Sequence, residues 1–318
     1  MSHVLTLSGL SQPRDTALGD LKLKRAVDAK SDLLIVGSSR IYRHLNSELI
    51  ESELDEQLSV YNLGIPGMWP PRQSVYLDRV LEQTSPRVLV VELNPPKSLA
   101  GNIRSSATQR SLNLRTVRDS IFTRLESMGS TKDKNRLLAS FGAATIYRCL
   151  GIGLFRAQFC QHDGQESQDA LRFANASTGG FLSLDLQEKM GAKKIPKHGQ
   201  LGSILKKRKA EDLEKYETNF SASSTMLARC REWIGHADDK DCRLIFVLSP
   251  RLGKSDLQVV YPVFQQLPKT NKIDMSNPQE FPEFFEPRYS FDKGHLNAAG
   301  AQIFSKVFSA KLGELLEN

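Results

Sequence analysis

The chain is short of several residue types that carry recognisable chemistry. Its four cysteines, Cys149, Cys160, Cys230 and Cys242, form no Cys-x-x-Cys pair and stand beside no metal-type histidine spacing. That argues against a zinc knuckle or a redox motif, and isolated buried thiols are expected. No run approaches the roughly 18 apolar residues that a membrane span needs. Residues Met1 to Leu10 show no charged stretch followed by an apolar one, so neither a transmembrane segment nor a signal peptide is expected. The sequence as it stands reads as cytoplasmic, or as cell-envelope or secreted if a signal or anchor lies outside it. Two tryptophans and seven tyrosines lie scattered relative to the basic stretch, which leaves no stacking platform for single-stranded nucleic acid. Nucleic acid is therefore not expected as a partner, and no cofactor or metal is expected.

What is present is ordinary globular composition. Of 318 residues, 40% are hydrophobic and 25% charged, enough for one large α/β domain over 1–318 with a full core. The formal charge of +7 favours an acidic partner. The excess is concentrated, however, where Lys193, Lys194, Lys197, Lys206, Lys207, Arg208 and Lys209 crowd together, so a solvated basic loop describes it better than a specific anion site does.

Apolar patterning alternates between strand and helix. Leu33-Leu34-Ile35-Val36 ends in Gly37, Ser59-Val60-Tyr61-Asn62-Leu63 ends in Gly64, and Val88-Leu89-Val90-Val91 runs to Asn94 and Pro95. Continuous apolar strands imply burial on both faces, as in a parallel sheet. Pro70 and Pro71 can open a crossover helix carrying Val75, Leu77, Val80 and Leu81. Residues 97–220 are polar and broken by pieces such as Ser177-Thr178-Gly179-Gly180, and read as a mainly helical insertion, a lid or subdomain, with helices around 121–128 and 143–159. The rhythm resumes with a helix over 223–234 and strands at 244–248 and 273–275. A final helix has an apolar face of Ala299, Ile303, Val307, Phe308, Leu312 and Leu315.

Two places carry candidate chemistry. Gly37-Ser38-Ser39-Arg40 follows the first strand and precedes a helix, at the sheet edge where open α/β folds hold ligands. A serine there can be a nucleophile close to backbone N–H groups, or simply a helix cap. Asp292-Lys293-Gly294-His295 precedes the last helix. An aspartate three positions before a histidine can orient the imidazole as a base, and either residue can equally be a plain turn or helix-start residue.

Taken in order, Gly37-Ser38-Ser39, Asn62-Leu63-Gly64, Glu92-Leu93-Asn94 and Asp292-Lys293-Gly294-His295 resemble the blocks of the SGNH (GDSL-type) hydrolases. The resemblance covers roughly 32–96 and 240–318. It implies a flavodoxin-like three-layer α/β/α sandwich, with Ser39 as nucleophile, His295 as base and Asp292 orienting it. It also implies an oxyanion hole from Gly64, Asn94 and the Ser39 N–H. Asn94 falls where the family has a glycine, and Ser38 replaces its common aspartate. The resulting Gly-Ser-Ser-Arg turn is similar to that of some cell-envelope acyl-transfer members, with Arg40 binding anionic substrate groups. The implied activity is that of a serine esterase or acyltransferase on a small-molecule or carbohydrate ester, such as a sugar O-acetyl group. The alternative is a catalytically weak glycan- or protein-binding module on the same fold.

Overall fold

Strands form where the sequence is apolar without interruption. In the computed structural model, which describes residues 14–55, 58–96, 114–128, 174–190, 200–214 and 220–317 and a few isolated positions between 131 and 172, five strands make one parallel sheet. They are β1 (Leu33–Val36), β2 (Val60–Asn62), β3 (Val88–Glu92), β4 (Arg243–Leu248) and β5 (Lys272–Asp274), in the order β2-β1-β3-β4-β5. Helices α1 (Arg14–Ala29), α2 (Ser39–His44), α3 (Ser47–Glu53) and α4 (Arg72–Gln83) accompany the first three strands. Between β3 and β4 lie α5 (Leu114–Ser127), α6 (Leu184–Lys189), α7 (Leu201–Glu214) and α8 (Ser224–Asp238). After β4 come α9 (Lys254–Gln265) and α10 (Ala298–Glu317). The molecule is a three-layer α/β/α sandwich.

Alternating strand residues divide the core, as the period of two requires. Leu34, Val36, Leu89, Val91, Leu244 and Phe246 pack with α1, α4, α8 and α9 on one face. Leu33, Ile35, Val90, Ile245, Val247 and Ile273 pack with α2, α3 and α10 on the other. The chain leaves β1 toward β2 on one side and returns to β3 on the other, so the carboxyl ends of β1 and β3 flank the topological switch point.

Some sequence expectations shift. The stretch Ser177 to Gly180 is laid along the β2 edge: the Asn62 N–H donates to the Gly179 carbonyl at 2.7 Å and Ser47 Oγ donates to the same oxygen. That covers an otherwise open strand edge. Lys206, Lys207 and Lys209 lie on helix α7 rather than on a loop, with Lys206 and Lys207 exposed. Arg208, beside them, pairs with Glu211 and lies against Gly253. Lys193, Lys194 and Lys197, the expected helix at 143–159, Cys149 and Cys160 fall outside the described residues. Cys230 and Cys242 are buried free thiols, pushed up to about 12 by that burial. Among the described residues no helix is long and apolar enough to cross a membrane.

Candidate active site

The turn after β1 is built around the lack of a side chain at Gly37. A Cβ there would fall 2.3 Å from Ile41 and 2.7 Å from Glu92 Cβ, so only glycine lets β3 approach this closely. The two serines that follow divide the roles left open by sequence. Ser38 caps α2, its Oγ accepting from the Arg40 N–H at 3.3 Å, while its own N–H donates to Glu92 Oε2 at 2.7 Å. Ser39 is left with its hydroxyl 2.8 Å from His295 Nε2. Being the first residue of α2, it also has an N–H with no carbonyl of that helix to bond to.

His295 is oriented from behind. Its Nδ1 lies 2.9 Å and 3.0 Å from the two Asp292 oxygens, so the neutral ring carries its proton on Nδ1 and offers Nε2 as acceptor to the Ser39 hydroxyl. Asp292 Oδ1 also accepts the N–H groups of Gly294 at 2.7 Å and His295 at 2.8 Å. Burial alone would raise the Asp292 carboxyl; the His295 hydrogen bond and charge and the two N–H donors outweigh it and hold it below its ordinary value. Hydroxyl, imidazole and carboxylate thus form one continuous chain, half-buried at the carboxyl edge of the sheet.

The other expected site residues are placed differently. Arg40 is buried and folded under the turn after β1, its Nε on Glu92 Oε1 at 2.8 Å, its Nη2 on Asn94 Oδ1 at 2.9 Å and its guanidinium over the Trp69 ring. It neutralises a buried carboxylate instead of presenting its charge to an anionic substrate. Asn94 supplies both amide hydrogens inward, to Glu92 Oε2 at 2.9 Å and Gln73 Oε1 at 3.3 Å. The Gly64 N–H donates to Asn62 Oδ1 at 2.8 Å. Gly64 is nonetheless needed as glycine, because a Cβ would meet the Tyr42 backbone nitrogen at 2.4 Å. Its carbonyl is held by Lys22 Nζ at 2.7 Å, a fully buried amine that burial, then Arg43, drives well below the usual lysine range. Neither proposed oxyanion donor on these two loops is therefore free in this arrangement.

Three residues to which the sequence reading gives no role complete the surroundings. Glu92 closes an otherwise apolar strand and receives the Ser38 N–H, Arg40 and Asn94. Burial would raise its carboxyl, but the Arg40 charge and these hydrogen bonds bring it below its ordinary value. A carboxylate at the end of a buried strand was the clue available. His44 packs edge-on toward His295, with ring centroids 6.1 Å apart, and accepts the Leu296 N–H on Nε2 at 3.0 Å. Burial first, then the charges of His295, Arg251 and nearby arginines, hold it neutral, and its Nδ1 has no hydrogen-bond partner. Arg251, after β4, reaches the carbonyls of Asp292 and His295. His44 sits in the short helix Ser39–His44, whose pattern resembles any surface helix, so nothing in the sequence marks it.

A small pocket opens beside this network, bounded by Gln73, Glu92, Asn94, Thr123, Met226 and Trp233; none of Ser39, Asp292 and His295 lines it. Among the described residues no group of three or more His, Cys, Asp or Glu is placed to hold a metal ion. No protein-family model matches the chain, and no curated protein matches it.

Proposed function

We propose that the chain is a serine hydrolase of the SGNH type, an esterase or acyltransferase working through an acyl-enzyme on Ser39. The observation that carries this reading is the 2.8 Å contact between Ser39 Oγ and His295 Nε2, with the same imidazole fixed on Asp292. Nucleophile, base and orienting acid in that order are what acyl transfer to serine requires. His295 takes the Ser39 proton as the oxygen attacks an ester carbonyl and returns it to the leaving alcohol. The Ser39 N–H is the donor positioned for the tetrahedral oxyanion; the Gly64 N–H and the Asn94 amide would have to exchange their present partners to join it. Water then releases the acid, or a sugar hydroxyl accepts the acyl group, with a carbohydrate O-acetyl ester as the substrate class that the Gly-Ser-Ser-Arg turn suggests.

Fluorophosphonate labelling tests the reading. Wild-type protein is expected to label at Ser39 and to hydrolyse p-nitrophenyl acetate, and Ser39→Ala to lose the label and at least about 10⁴-fold in turnover. An unlabelled wild-type protein, or Ser39→Ala with intact turnover, ends it. The inward commitment of both Asn94 and Gly64 favours a second reading, a catalytically weak module of this fold that binds a glycan or a protein. For that reading, binding survives in Ser39→Ala while the wild-type serine fails to label.

A further inference from the structure

The loop that carries the acid and base is held from below by one side chain. Arg251 follows β4 in the left-handed conformation, φ +62°, and is 4% exposed. Its Nη1 lies 3.3 Å from the carbonyl oxygens of both Asp292 and His295, its Nη2 donates to Ser290 Oγ at 2.7 Å, and its Nε donates to the Phe284 carbonyl. The His295 carbonyl also takes the N–H of Phe291 at 3.0 Å. The guanidinium therefore sits at the point where the 290–296 turn closes on itself. A planar fork with five donors can satisfy acceptors in several fixed directions at once; an ammonium cannot.

Arg251 is itself set from a second element. Its N–H donates to Asp212 Oδ2 at 3.0 Å, from a fully buried aspartate on α7. Two further contacts dock α7 on the same stretch: Arg208 lies against Gly253, where a Cβ would fall 1.8 Å from its Nη1, and Glu214 pairs with Lys254 at 2.6 Å. Gly253 is itself in the left-handed region, φ +87°. Helix α7 is thus connected through Asp212 and Arg251 to the backbone of the two residues that orient and supply the imidazole.

We propose that Arg251 is the positioning residue of the Asp292–His295 pair, and that Asp212 of α7 fixes Arg251 for that task. The proposal rests on the triad reading above. Because Asp292 and His295 are three residues apart in one turn, their side-chain geometry follows their backbone, and the backbone is what the guanidinium holds. Loss of the fork lets the imidazole drift from Ser39 by a fraction of an ångström to an ångström, a displacement worth up to about 10²-fold in rate when reacting groups must stay in contact.

The test compares wild type, Arg251→Lys and Asp212→Asn by two readouts. One is steady-state hydrolysis of p-nitrophenyl acetate; the other is the proton resonance of His295 Nδ1, assigned by its absence in His295→Gln, which reports the hydrogen bond to Asp292 without any turnover. Arg251→Lys keeps the charge and loses the fork. It is expected to lower kcat about 10- to 100-fold with KM changed less than about twofold, and to move or broaden the Nδ1 proton signal. Asp212→Asn keeps an acceptor and is expected to act in the same direction by less; it decides the matter if Arg251→Lys does not fold. A folded variant that loses thermal stability yet retains wild-type kcat and an unchanged Nδ1 signal assigns Arg251 to packing alone and overturns the proposal. Should wild type itself hydrolyse nothing, the esterase reading falls, and the Nδ1 signal still decides whether Arg251 holds the pair.

Discussion

At the level of single residues, Glu92 is the group on which the Gly37–Arg40 turn depends. It takes the Ser38 N–H on one oxygen and the Arg40 Nε on the other, both fully buried. Removing one partner of a buried ion pair leaves a charge without compensation, which costs about 3–5 kcal/mol. Arg40→Met is therefore expected to shift denaturant unfolding by that amount. Arg40→Met combined with Glu92→Gln should recover part of the loss, because a neutral amide oxygen still accepts from Ser38. A double variant no more stable than Arg40→Met would show the pair to be uncoupled. The serine, histidine and aspartate of this site could be picked out from their order and their positions after a strand and before a helix. Arg251 and His44 could not, and Glu92 showed only as a carboxylate closing an apolar strand, because burial changes what a charged or polar side chain does and burial is a property of the fold. The same cause bears on Arg40 and Asn94: the family resemblance implied donors aimed at a substrate, whereas the interior offers Arg40 a carboxylate and Asn94 two acceptors.

Among the elements, the strands were readable because parallel strands are apolar on both faces, and their ends were located to within a residue or two. The helices were less so. The sequence pattern placed Ile303 and Val307 on the buried face of α10. The structure buries Phe308 and Leu312 of that face, leaves Ile303, Val307 and Leu315 half-buried against the same core and Ala299 exposed, and buries Ala301 and Phe304 in addition, so the face is turned slightly toward α3 and the strands. Phe304, fully buried and 5.6 Å from the His44 ring centroid, is expected to lose about 3–5 kcal/mol on replacement by alanine. Ile303→Ala is expected to lose distinctly less in the same chemical denaturation series; equal losses would favour the face read from sequence. The sequence pattern does not single out helices α1 and α9, and it includes α7 only within the mainly helical insertion of 97–220. In α7 the exposed Lys206 and Lys207 mask the helix, whose fixed points, Leu205 and Asp212, show only once it is docked.

Across the whole molecule, acid is expected to destabilise the fold in two stages. His44 is held neutral when folded, so below about pH 6.5 the unfolded chain binds a proton that the folded one refuses. Stability then falls with decreasing pH at up to about 1.4 kcal/mol per unit, until the pH reaches the lowered value of the folded state. Asp292 and Glu92, both depressed in the folded state, contribute stability above their ordinary carboxylate range that is lost as pH falls through their folded values. Thermal melting from pH 8 to 3 should show both stages, and His44→Gln should abolish the upper one; a variant with an unchanged upper stage would place that loss elsewhere. The separation of Ser39 and His295 by 256 positions has one more consequence. On the serine-hydrolase reading proposed above, Ser39 stays an ordinary alcohol until the turn bearing Asp292 and His295 is docked beside α2, so the rate at which a refolding sample gains fluorophosphonate reactivity would time that docking rather than early collapse.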